Sequence, residues 1–114
     1  MEQVQISNYA ICPKFEKTFS ILGKKWNGLI IEVLLDNGPQ RFVDIAGKIP
    51  QVSDRLLVER LKELEREGIV TREVSCKENN RSEYLLTKKG ADLRLAMTQI
   101  HQWGDKWLTD AECS

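Results

Sequence analysis

"QRFVDIAGKIPQVSDRLLVERLKELEREGIV" spans residues 40 to 70 and holds two helical patterns of unequal length. Phe42, Ile45 and Ile49 share one face of a short helix that ends near Lys48. Pro50 bars its continuation and biases Ile49 away from helical geometry. Ser53 is a good N-cap for a longer helix reaching Glu67, and Gly68 closes it in the manner of a C-cap. A short helix, a tight turn and a longer capped helix predict a helix-turn-helix.

Outward from this unit, both flanks extend the pattern. "DNGP" at 36–39 is a turn. Before it, a helix from about Lys25 to Leu35 carries Trp26, Leu29, Ile30, Val33 and Leu34 as its apolar stripe. An earlier helix starts at Pro13, a favoured first helical residue, repeats Phe15, Phe19 and Leu22, and stops at Gly23. Residues 1 to 11 show no periodicity and read as a flexible tail. On the other side, Ile69 to Val74 and Glu83 to Leu86 are rich in β-branched and aromatic residues. With Asn79–Asn80 between them they predict a hairpin. Thr87 caps a last helix from Lys88 to about Thr109, in which Leu93, Met97, Ile100, Trp103 and Trp107 recur by threes and fours, close to a heptad seam. The expected fold is mainly α with a small antiparallel β-hairpin. It is a winged helix-turn-helix over residues 12–110, with terminal helices that dimerise.

Composition sets the limits. The chain has 114 residues, 41 % hydrophobic and 30 % charged, with a formal net charge of zero. That fits one domain, and a domain this small gains from burial in a dimer interface. No apolar run approaches the roughly 20 residues of a membrane span, and "MEQVQISNYA" lacks the pattern of a signal peptide. A cytoplasmic location is expected. Cys12, Cys76 and Cys113 are an odd number without a CxxC pair, which argues against a disulfide framework and a zinc site. His101 is the one histidine. With no nucleophile–base motif, phosphate loop or metal set, neither an enzyme nor a cofactor is expected.

On the longer helix, Leu57, Leu61 and Leu64 cluster on one side at 100° per residue, while Arg55, Glu59, Lys62 and Arg66 lie opposite. The N-terminal part of such a helix enters the major groove, where arginine reads guanine edges. Ser53 and Arg55 are candidates for the groove and Lys62 for phosphate. Arg60 is a DNA candidate too, although it flanks the core side beside Leu56 and has a neighbouring helix as an alternative partner. At the hairpin tip, Lys77, Asn80 and Arg81 are donors suited to phosphate, which orients a protein without reading sequence. Residues 53–68 hold four basic and five acidic side chains, so a solvated face with pairs such as Arg55–Glu59 is the competing reading.

The stretches "CPKFEKTFSILGKKWNGLII", "RFVDIAGKIPQVSDRLLVERLKELEREGIVTR", "YLLTKKG" and "WGDKW" together resemble the HxlR-type family of winged-helix transcriptional regulators, related to MarR regulators, over about residues 12–107. Within the family the likeness is to the YodB-like repressors that sense quinones and other thiol-reactive electrophiles. The resemblance implies a homodimer on palindromic double-stranded DNA and a regulatory cysteine near the N-terminus, which falls on Cys12. It also implies cysteines near the end of the last helix. Leu108 stands where one is expected, and Cys113 lies close to the other.

Cys12 itself adjoins the first helical turn, where unpaired N–H groups stabilise a thiolate; Lys14 is close in sequence, and Lys24 and Lys25, which begin the next helix, are expected to approach it. Direct modification of Cys12 by a small-molecule electrophile, or a disulfide to Cys113 of a second chain, is the expected signal. A small packed hydrophobe is the alternative for this residue, and more so for Cys76. Two other functions stay open: control by a non-covalent ligand, and a winged-helix module that binds protein.

Overall fold

The computed structural model describes residues 10–75 and 81–113. Most of the expected tail, together with Cys76, Lys77, Asn79 and Asn80, lies outside them. The described chain runs α1 (Pro13–Leu22), α2 (Asn27–Asn37), α3 (Phe42–Lys48), α4 (Asp54–Arg66), β1 (Val70–Ser75), β2 (Arg81–Leu86), α5 (Lys88–Ala91) and α6 (Arg94–Trp107), then a 3₁₀ turn over Asp110–Cys113. This is the expected mainly helical architecture with one antiparallel hairpin.

The helix-turn-helix forms as its punctuation dictates. Ser53 Oγ accepts the Leu56 N–H at 3.2 Å, capping α4. Leu57, Leu61 and Leu64 are fully buried against Ile30 and Ile31 of α2 and Ile45 of α3. Full burial of each aliphatic side chain contributes about 1.5–3 kcal/mol. Gly68, at φ 76°, takes the left-handed conformation that ends α4 and starts the hairpin. The strands pair from Val70–Leu86 to Ser75–Arg81. Gln40 adds an isolated bridge on the free side of β2, exchanging both backbone bonds with Tyr84 at 2.9 and 2.7 Å. The start of the helix-turn-helix is thereby tied to the wing.

Three local expectations change. The second helix starts at Asn27, not Lys25, because Trp26 sits at φ 82° as its N-cap residue. Strand β2 begins at Arg81, two residues before the expected Glu83. The last helix is broken: the Leu93 N–H bonds Gly90 O at 3.0 Å, and the two pieces meet over Asp92 and Leu93. The cause is packing. Thr87 Oγ1 donates to Gly68 O at 2.6 Å and accepts the Gly90 N–H at 3.1 Å. That presses Gly90 onto Ile69, where a Cβ would lie 2.3 Å from the Ile69 carbonyl oxygen.

The core is made by α2, α3, α4 and the hairpin. Neither α1 nor α6 has a buried residue. The seam of the last helix divides accordingly: Leu93 and Met97 pack on the core, whereas Ile100, Trp103 and Trp107 are more than half exposed.

Candidate DNA interface and thiol site

Arg55 and Lys62 are exposed on the outer face of α4. They lie seven residues apart, which places them within about 20° of one another and about 10 Å apart along the axis. Neither has an ion pair among the described residues, and the Arg55–Glu59 pair that spacing allows does not form. Ser53 is exposed at the mouth of the helix with its hydroxyl oxygen engaged as the cap. Arg81 is exposed at the first position of β2. Lys77 and Asn80 fall outside the described residues.

Arg60 departs from its expected place on the DNA face. Its side chain is only 14 % exposed; Nε donates to the Lys25 carbonyl at 3.0 Å and Nη1 stands 3.5 Å from Glu63 Oε1. At about 150° from the outer ridge of Arg55 and Lys62, Arg60 leans toward the α1–α2 turn and finds the Lys25 carbonyl there. Two exposed apolar residues, Val43 and Val58, were missed by the sequence reasoning because valine on a helix reads as core. Val58 flanks Arg55 and Lys62.

Cys12 is the N-cap residue of α1, extended at φ −76° and ψ 112°. Its carbonyl accepts the Glu16 N–H at 3.0 Å, and the residue is exposed. Lys24 and Lys25 do not approach it. They lie beyond the other end of the ten-residue helix, about 15 Å away along the axis. Cys12 shares a face of α1 with Phe15 and Phe19, both more than half exposed, their rings tilted at 56° to each other with centroids 4.9 Å apart.

Cys113 is also exposed. It lines a cavity of about 560 Å³ with Leu22, Trp26, Leu29, Met97 and Ile100. On its rim His101 Nε2 pairs with Glu32, so the one histidine joins α6 to α2. Leu22 ends α1, so Cys113 is placed at the end of that helix opposite Cys12. A disulfide needs Cα atoms about 4.4–6.8 Å apart. Among the described residues no group of His, Cys, Asp and Glu is arranged to hold a metal, and no helix is long and apolar enough to cross a membrane.

Residues 21–112 match the family model described as HxlR-like helix-turn-helix. The HTH-type transcriptional regulator YodB of Bacillus subtilis is 47 % identical over 97 residues, covering 85 % of this chain and 86 % of that protein. YodB in its reduced form has a TM-score of 0.79 at 46 % identity, over 87 % of this chain and 96 % of the other. Its quinone-bound form has a TM-score of 0.75 at 47 % identity, over 85 % and 100 %. The redox regulator HypR in its reduced form has a TM-score of 0.77 at 33 % identity, over 89 % and 99 %.

Proposed function

Because the chain belongs to the HxlR-like helix-turn-helix family of DNA-binding transcriptional regulators, we propose that it is a homodimeric repressor released from a palindromic operator by modification of Cys12. In this reading α4 enters the major groove, Arg55 reads base edges and Val58 meets a thymine methyl. Lys62 and Arg81 engage phosphate, with Lys77 and Asn80 of the wing beside them. Ser53 sets the start of the reading helix, and Arg60 acts inside the protein.

The unpartnered apolar face of α1 and α6 supports the dimer. Phe15, Phe19, Ile100, Trp103 and Trp107 are all at least half exposed, and a second copy of the same face covers them. The observation that carries the thiol switch is the place of Cys12: it opens α1 on the same face as Phe15 and Phe19, at the edge of that interface. Addition of the Cys12 thiolate to a quinone forms a carbon–sulfur bond. The ring then gains two electrons and, after proton transfer, becomes a hydroquinone thioether. An oxidant of the disulfide-forming class instead removes two electrons and two protons from Cys12 and a partner's thiol. With Cys113 at the far end of α1, that bridge joins two chains. Either product wedges the interface and alters the spacing of the two reading helices, which half-sites about 34 Å apart do not tolerate.

Operator binding of Cys12→Ser with and without benzoquinone tests this reading. Retained binding on treatment is expected; continued loss overturns the role of Cys12. Binding that ignores salt overturns the DNA reading, because phosphate contacts impose a steep salt dependence.

A further inference from the structure

Helix α1 has no fully buried residue; Ile21 and Leu22 at its end pack on the core, and polar links join the helix and the turn after it to α4. Lys17 Nζ reaches Glu67 Oε2 at 3.0 Å, and Lys24 Nζ reaches Glu63 Oε2 at 2.9 Å. Arg60 Nε donates to the Lys25 carbonyl at 3.0 Å. The second oxygen of Glu63, Oε1, is buried and, among the described residues, meets only the long 3.5 Å contact with Arg60 Nη1. Glu63 thus sits between a lysine from the α1–α2 turn and an arginine of α4. The Lys24 hydrogen bond, more than the charges of Lys24, Arg60 and Arg66, holds its carboxyl below the usual carboxylate range against the effect of burial.

The turn itself is rigidly specified. Trp26, at φ 82°, is the one non-glycine residue with positive φ among the described residues, a conformation that bulky side chains rarely adopt. Asn27 fixes it, donating from Nδ2 to Ile21 O at 2.9 Å and from its backbone to Lys24 O at 3.1 Å. A shift of α1 is therefore passed to Lys24 and the Lys25 carbonyl. Lys24 also lies in the walls of two cavities, one shared with Glu63 and the other with Cys113. It stands between Glu63 of α4 and Cys113.

We propose that Glu63, with Lys24 and Arg60, is a positioning residue that couples the α1–α2 turn to the reading helix. This rests on the thiol-gated reading above. Ion pairs with side chains 27 % and 45 % exposed are individually weak. Such a link carries a displacement of the α1–α2 turn to α4 but adds little to the placement of α4 in the reduced protein, where the buried Leu57, Leu61 and Leu64 seat the helix.

The test uses the full chain and an operator duplex selected from randomised DNA, measured before and after complete conversion of Cys12 by benzoquinone, with adduct checked by intact mass. In the wild type, conversion weakens binding by about 10-fold or more, within the usual range of allosteric coupling. In Glu63→Gln the reduced protein binds within about 3-fold of wild type and Cys12 reacts at the same rate, but the ratio between the two states falls to about 3 or less, below that coupling range. Lys24→Gln behaves likewise, and the double variant lowers the ratio no further, as a shared interaction requires. A full wild-type ratio in folded Glu63→Gln and Lys24→Gln overturns the coupling alone. A wild-type protein whose binding ignores conversion overturns the thiol reading and the coupling with it.

Discussion

Replacing Trp103 by alanine should break the dimer and leave the protomer folded. Trp103 lies on α6, which buries no residue, and is 59 % exposed. An aromatic side chain offers about 200 Å² for burial, so roughly 120 Å² of Trp103 is left for a partner to cover. At about 25 cal/mol per Å² that is about 3 kcal/mol. A two-fold dimer counts each residue twice, which brings the loss to about 6 kcal/mol. Since about 1.4 kcal/mol is tenfold, complete coverage corresponds to a dimer about 10⁴-fold weaker, and half coverage to about 10²-fold. Sedimentation equilibrium of wild type and Trp103→Ala measures the two constants, with far-ultraviolet circular dichroism to confirm that the helices are intact. The paired half-site operator should then be bound weakly and each half-site alone as before. A wild-type dimer that loses less than tenfold on this substitution refutes the placement of the interface on α6.

Gly90→Ala should destabilise the protomer by at least about 1–3 kcal/mol in urea unfolding, because its new methyl would lie 2.3 Å from the Ile69 carbonyl oxygen. Ser53→Ala removes the α4 cap and should cost about 1 kcal/mol, with operator affinity falling further than the fold does because the start of the reading helix frays. Stability should also depend on pH through Glu63. Glu63 has a folded-state pKa below its ordinary 4.5, so the native state binds fewer protons there and its stability rises with pH in that window. This contribution is complete above about 4.5 and disappears as acid protonates the folded carboxyl; Glu63→Gln should flatten that part of the stability–pH curve, and an unchanged curve counts against the Lys24 hydrogen bond as its source.

What was legible in the chain was whatever a few neighbouring residues settle. Pro13, Pro50, Ser53 and Gly68 mark ends of elements through their own backbone chemistry. The stripe of Leu57, Leu61 and Leu64 states which side of α4 is inside, and residue spacing alone put Cys12 at a helix mouth. Where distant segments meet, the sequence was silent or misleading. Arg60 is directed by a carbonyl 35 positions away, and the last helix breaks because Gly90 is pressed onto Ile69 from another element. Valine at 58 resembles core until the packing shows it in solvent.

The amino-acid order by itself therefore determined the helix-turn-helix, the hairpin and a thiol at the start of the first helix, since periodicity and capping act within one or two turns of chain. Only the tertiary structure decided that α1 and α6 expose their aromatic faces, that Cys12 and Cys113 lie toward opposite ends of α1, and that Arg60 and Glu63 grip the α1–α2 turn. Those outcomes depend on which surfaces the core leaves uncovered and which charges folding brings within 3–4 Å, distances that no local pattern encodes.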